Sequence, residues 1–147
     1  MIHDGVVVHE AEFPHPPEEV WSALVEPDRI AAWLMPNDFV ATVGARFRMD
    51  CGPPQGPITG EVLEVVPPRR LVYSWEGDFG RTIVTYVLTP TSAGTHLRLE
   101  HREWPPGSES ARDQFDSGWP KKFVALSGHL ATRSASVPGQ DEEPLPG

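Results

Sequence analysis

The order in which two hydrophobic periodicities occur constrains this chain more than any single motif. Between residues 45 and 104 apolar side chains recur at every second position, the spacing of a strand with one buried face. In "ARFRMDC" Phe47, Met49 and Cys51 alternate with Arg46, Arg48 and Asp50, and in "THLRLEHREW" Leu97, Leu99 and His101 alternate with Arg98, Glu100 and Arg102. In "FDSGWPKKFVALSGHL" the spacing changes to three and four, and Trp119, Phe123, Leu126 and Leu130 fall on one helical stripe. A run of strands followed by one long amphipathic helix has few solutions. The helix must lie on the apolar face of the sheet, because no other element is long enough to cover it.

The remaining elements fit that plan. "VVVHEAEF" reads as a first strand, and "PHPPEEVWSALVEPDRIAAWL" as two short helices. Pro16 and Pro17 suit a first helical turn, where a missing N–H does no harm, and Glu18 and Glu19 suit the positive end of the helix dipole. Pro27 is expected to stop the first helix and Asp28 to cap the second, which carries Ile30, Trp33 and Leu34. "GEVLEVV", "RRLVYSWEG" and "RTIVTYVLTP" supply further strands, giving six or seven in an antiparallel sheet. "PPGSESARDQ" reads as a loop, so the closing helix is expected from Ser117 to about Arg133, about 25 Å long. The fold class is α+β, with one domain over residues 1–133 and a proline-bearing, almost apolar-free tail over 134–147 expected to be disordered.

Charge and composition narrow the function. Twelve basic against 21 acidic residues give a net charge of −9, which argues against nucleic acid and against anionic membrane surfaces as partners. No apolar run approaches a membrane span and no signal-peptide pattern opens the chain. Cys51 is the single cysteine, which excludes an intrachain disulfide and fits a cytoplasmic setting. No phosphate-binding loop, dinucleotide fingerprint, nucleophile elbow or zinc spacing is present, so no metal or cofactor is expected. His96 and His101 are five apart on one strand and point to opposite faces. Asp78 and Asp116 read as solvated loop carboxylates.

"FPHPPEEVWSALVEPDRIAAWL", "GEVLEVVPPRRLVYSW", "GTHLRLEHREW" and "GWPKKFVALSGHL", in that order, resemble the family named after the activator of the heat-shock protein 90 ATPase. That family belongs to the helix-grip superfamily, START and birch-pollen-allergen-like (SRPBCC). The resemblance covers about residues 7–130 and implies a curved sheet gripping the last helix around a mostly apolar cavity, typically several hundred Å³. It specifies fold far better than function, since helix-grip proteins range from carriers to cyclases to stress proteins.

The residues expected to line such a cavity are Trp33, Phe39, Phe47, Met49, Tyr73, Trp75, Phe79, Tyr86, His101, Trp104, Phe115, Trp119, Phe123 and Leu126. Aromatic rings can simply fill a core, but Trp and Tyr also carry polar tips that suit planar, partly oxygenated ligands. His101 is either a polar group for a ligand or a hydrogen-bonded core histidine. Three functions follow: a binder of a hydrophobic, aromatic or polyketide-like molecule; a polyketide cyclase or hydratase using His101 as acid or base; and a co-chaperone of a heat-shock protein 90 homologue. The resemblance extends to actinobacterial proteins that protect a producer from its own enediyne antibiotic by sequestration or self-sacrificial cleavage. Gly77, Gly80, Gly107 and Gly118 border the expected cavity as candidate cleavage points, because a glycine Cα hydrogen is the least hindered. Either a monomer or a homodimer is compatible with the sequence.

Overall fold

The computed structural model describes residues 2–52 and 56–136. The chain forms β1 (Ile2–His3), β2 (Val6–Phe13), α1 (Pro17–Val25), α2 (Pro27–Trp33), β3 (Arg46–Asp50), β4 (Pro57–Val66), β5 (Arg70–Gly77), β6 (Gly80–Thr91), β7 (Gly94–Arg102) and α3 (Glu109–Ser136). The strands build one antiparallel sheet in the order β1-β2-β7-β6-β5-β4-β3. Chain order is followed from β3 to β7, and β2 then closes the sheet by pairing with β7, with Ala11 opposite Leu97 and His9 opposite Leu99. Alternation along β3 and β7 is as the sequence requires: Phe47, Met49, Leu97, Leu99 and His101 are buried, while Arg46, Arg48 and Arg102 are exposed.

Two features of β4 bend this sheet. Its register with β5 shifts between Val62 and Glu64, the signature of a bulge that increases local twist. At Gly60, a Cβ would stand 2.0 Å from the Ser74 carbonyl oxygen and 2.5 Å from the Phe47 ring, so only glycine lets that ring settle across the strand. The turn into β5 carries a cis Pro67–Pro68 peptide.

The helices differ from expectation at their beginnings. Pro27 does not only end α1; it opens α2 in the first helical position, and Asp28 sits inside the first turn rather than capping it. Helix α3 begins at Glu109, eight residues before the expected Ser117. The Ser108 carbonyl accepts from Arg112 N at 2.9 Å, and its hydroxyl donates to the Pro105 carbonyl at 2.6 Å. Pro120 therefore lies within the helix, where a proline removes the N–H that would bond the carbonyl four residues earlier. That carbonyl belongs to Asp116, and His9 of β2 takes it over: its Nε2 lies 3.0 Å from Asp116 O and 2.9 Å from Asp116 Oδ1. The loop reading holds over 105–108 and fails from Glu109 on, where the helix begins, and the solvated reading of Asp116 is corrected by its contact with His9. The helix also runs past the expected boundary at 133 to Ser136; the rest of the expected tail lies outside the described residues.

A second long-range tie joins the three helices. Arg29 is 3% exposed, and its guanidinium donates to Glu19 Oε2 at 2.9 Å and to His129 Nε2 at 3.1 Å. Because His129 accepts from an arginine, that ring nitrogen carries no proton.

Candidate functional site

Helix α3 runs closest to β2 and α2 and stands off from the middle of the sheet. Large rings occupy the space between. Phe39, Phe47 and Tyr73 meet edge to face at 5.1–5.6 Å, and Tyr73 stacks on Trp75 at 6.2 Å. Trp75 in turn stacks on Trp119 of α3 at 5.2 Å with planes 20° apart. Tyr86 meets both Tyr73 and Trp119, while Trp119 continues to Phe123. Phe79, Trp104 and Phe115 make a second cluster at the end of the gap, with Phe115 5.5 Å from Trp75. Where a hollow of several hundred Å³ was expected, the rings meet one another. Met49, Leu126 and Trp33 are buried in the same core, the Trp33 indole donating to the Ala23 carbonyl of α1 at 2.7 Å.

His101 is at the centre of this packing and fully buried. Trp119 Nε1–H points to His101 Nδ1 at 3.3 Å, so Nδ1 is the acceptor and Nε2 carries the proton. Nε2–H then donates to Thr82 Oγ1 at 2.8 Å, and the Thr82 hydroxyl donates to the Trp75 carbonyl at 3.0 Å. Both ring nitrogens are used. Burial lowers the His101 pKa from 6.5 to about 3, and the ring is neutral at physiological pH. Tyr73 and Tyr86 share a hydroxyl–hydroxyl bond of 2.8 Å, and burial raises both phenols above their ordinary range. None of these three groups is poised as an acid or base. One polar atom in the stack stands out: Trp75 Nε1 is buried with no partner in good hydrogen-bond geometry, the one such side-chain atom among the described residues, and makes only a weak approach to the Tyr73 hydroxyl.

The open space lies beside the stack. A pocket of about 140 Å³ is lined by Leu34, Met35, Cys51, Trp75, Phe115 and Trp119, with Gln114, Gly118 and Lys122 along α3. Gln114, Gly118 and Lys122 are spaced by four and therefore stand on one helical face. A Cβ on Gly118 would meet nothing within 4 Å, so the glycine leaves bare backbone at the pocket wall rather than relieving a clash. Cys51 Sγ lies 3.5 Å from Met35 Sδ. Burial, with the Asp50 charge beside it, raises the Cys51 thiol to about 11 against the opposing pull of the Lys122 ammonium. The thiol is thus protonated and a poor nucleophile. A neighbouring hollow of about 290 Å³, lined by Asp78, Phe79, Gly107, Ser108, Ser110 and Ala111, shares Gln114 with the first.

Of the residues expected to line a cavity, Trp75, Phe115 and Trp119 reach the first pocket and Phe79 the second. The others stay in the core or, for Trp104, at its edge. Among the candidate glycines, Gly118 and Gly107 border open space; Gly77 and Gly80 are covered by Phe79 and Pro105. Sequence reading missed Leu34, Met35, Gln114 and Lys122. For Gln114 and Lys122 the signal was the spacing of four through Gly118, readable only once the helix is known to begin before residue 114; Leu34 and Met35, just past α2, carry no such periodicity.

His96, on the outer face as expected, bonds Glu12 and Glu10 across β2, and these carboxylates raise its pKa. Among the described residues no group of three or more His, Cys, Asp or Glu side chains is placed to hold a metal ion. No described helix is long and apolar enough to cross a membrane.

A bent antiparallel sheet gripping a long last helix, with two short helices inserted after an early strand, defines the helix-grip class. Residues 14–131 match the family described as Activator of Hsp90 ATPase homolog 1-like protein, and the chain belongs to that family. It is similar to protein MLL2253 from Mesorhizobium loti at 40% identity, over 86% of this chain and 97% of that one, with a TM-score of 0.82. It is also similar to DynU16, a protein in the dynemicin biosynthetic locus, at 29% identity and a TM-score of 0.78, over 89% of this chain and 49% of DynU16. This chain thus spans about half the length of DynU16. CalU16 from Micromonospora echinospora is 25% identical over 88% of this chain and 78% of that one, with a TM-score of 0.73. No curated protein matches the chain.

Proposed function

We propose that this protein binds a hydrophobic, aromatic or polyketide-like small molecule at the 140 Å³ pocket between α2, the end of β3 and α3. The observation that carries the reading is the wall itself: two indoles and a phenyl ring meet bare helix backbone at Gly118. Protection of a producing cell from a toxic natural product such as an enediyne is its most concrete form, and the likeness to a protein in the dynemicin locus supports it. The site of action is then the cytoplasm, and the working unit a monomer or homodimer. The pocket takes a ring-sized part of such a molecule, and the 290 Å³ hollow past Gln114 offers room for more. If the guest is an activated enediyne, Gly118 presents the Cα hydrogen open to abstraction by the aryl radical, and cleavage is expected there once dioxygen traps the resulting backbone radical. The cyclase or hydratase reading loses support because both His101 nitrogens are engaged.

Titration of intrinsic tryptophan fluorescence against a natural-product panel tests the binding, since Trp75 and Trp119 line the wall. A hit abolished by Gly118→Leu supports the reading; a panel without any hit, or hits indifferent to that substitution, removes it. Incubation with an activated enediyne should yield a fragment ending near residue 118, whereas an intact chain beside unprotected DNA removes the resistance role.

A further inference from the structure

The rim of the same pocket constrains the chemistry of its guest, given the small-molecule reading above. Lys122 lines the pocket half-buried, and among the described residues no carboxylate pairs with it. The chain has a net charge of −9, and Arg29, Arg46, Arg70, Arg81, Arg98 and Arg102 each have a glutamate partner. Arg48, Arg69 and Lys121, equally without a carboxylate partner among the described residues, stand exposed, whereas Lys122 is half-buried and lines the same pocket as Trp75 and Trp119. The thiol across the pocket from it is neutral, and the sulfur of Met35 beside that thiol offers no charge.

The volume fixes the size of what can enter. An apolar cavity of about 150 Å³ accepts one benzene, and this pocket has about 140 Å³. One aromatic ring fills it. A purely apolar guest would strip water from around Lys122 and leave the cation with no counter-charge. A ring bearing an anionic oxygen group supplies that counter-charge at the moment of desolvation, through a charge-assisted hydrogen bond. Gln114, two turns earlier on the same helical face, marks the way out of the pocket, its amide facing Ser110 Oγ at 3.5 Å.

We infer that the pocket selects an aryl acid: one aromatic ring enclosed by Trp75, Phe115 and Trp119, with an ionised carboxylate or phenolate held by the Lys122 ammonium. The rest of a larger molecule leaves along α3 past Gln114. Lys122 acts as a specificity determinant and takes no part in chemistry.

The test compares 4-ethylbenzoate with its neutral isostere 4-ethylbenzamide. Binding is read from the amide resonances of residues 118 and 122 and from the indole N–H resonances. The benzoate is expected to bind about fivefold or more tightly than the amide, a preference that shrinks with added salt. Lys122→Met, which keeps the aliphatic stem, should erase the preference without changing thermal stability, and Lys122→Arg should restore it. Equal affinity for acid and amide in the unaltered protein, or a preference that survives Lys122→Met, overturns the inference. If both probes bind equally and Gly118→Leu abolishes both, the inference falls while the small-molecule reading stands; if neither probe binds, this inference falls. A charge preference indifferent to Gly118→Leu places the anion on the outer surface of α3 and also overturns it.

Discussion

His101 should give the protein a pH-dependent stability term that a catalytic or ligand-facing histidine would not. Its folded pKa is about 3 against an ordinary 6.5, because burial disfavours the charged ring. The unfolded chain therefore binds a proton at a pH where the folded protein does not. Stability contributed by the neutral ring is complete above about pH 6.5 and is lost as pH falls toward the folded value. Between pH 7.5 and 5.5 the loss needs only a folded pKa well below 5.5. With an unfolded pKa of 6.5 it amounts to about 1.4 kcal/mol, rising to about 1.2 kcal/mol per further pH unit at the lower end. His96 acts in the opposite sense, since its carboxylate neighbours raise its pKa, so the raw pH profile mixes the two.

Comparing the protein with His101→Gln isolates the term. The substitution lowers stability at every pH, because Trp119 Nε1–H and Thr82 Oγ1 lose their fitted partner. The informative quantity is the slope, not the offset. Urea unfolding followed by far-ultraviolet circular dichroism from pH 5.5 to 7.5 stays above the sequence pI near 5.0, where solubility is poorest. The two stability curves should converge by about 1.4 kcal/mol toward pH 5.5. Parallel curves would mean that His101 titrates normally in the folded protein, and would refute its enclosure in the Trp119–His101–Thr82 chain.

The two stacked indoles should respond differently to truncation: Trp119→Phe strands the His101 acceptor, whereas Trp75→Phe removes a donor that had only a weak approach to the Tyr73 hydroxyl, so urea titration should find Trp119→Phe costlier by about 1–2 kcal/mol. His9→Ala should cost about 1–2 kcal/mol, and less when Pro120→Ala restores an N–H for the Asp116 carbonyl; the coupling in a double-mutant cycle should be about 1 kcal/mol, and zero coupling would sever the link between them. Cys51, with its thiol near 11, should react very slowly with a disulfide reagent at pH 8, and more slowly still in Lys122→Met, where the opposing charge is gone.

What could be read in the sequence follows from how local each signal is. Alternation in residues 46–51 and 94–102 identified the buried faces, because a strand's period of two is decided by the strand alone. The start of α3 was illegible for the converse reason. Residues 105–114 show no apolar stripe, and Pro120 imitates a helix beginning; its compensation, His9, lies more than a hundred positions away. Arg29 was equally hidden, since its partners Glu19 and His129 lie on two other helices. The sequence also identified inward rings without deciding whether they line a hollow or touch. Trp75 and Trp119 give the same periodicities either way, and only the separation of α3 from the sheet decides it.

That separation also says which ring would yield to a guest larger than the pocket. Trp119 is held by its hydrogen bond to His101, by stacking on Trp75 and by a tilted contact with Phe123. Trp75 has comparable ring contacts but only a weak approach to the Tyr73 hydroxyl to lose, and its N–H would gain a well-formed bond from an oxygenated ligand. Phe115, half-buried at the pocket edge, has no polar tie at all. Enlargement should therefore proceed by movement of Trp75 and Phe115 against a fixed Trp119. The corresponding measurement is the pair of indole N–H resonances on addition of a multi-ring ligand: a large shift for Trp75 with Trp119 nearly unmoved is expected. Loss of the Trp119–His101 bond with Trp75 unchanged would reverse the assignment, and would make the histidine, rather than the Trp75 indole, the group that receives the guest.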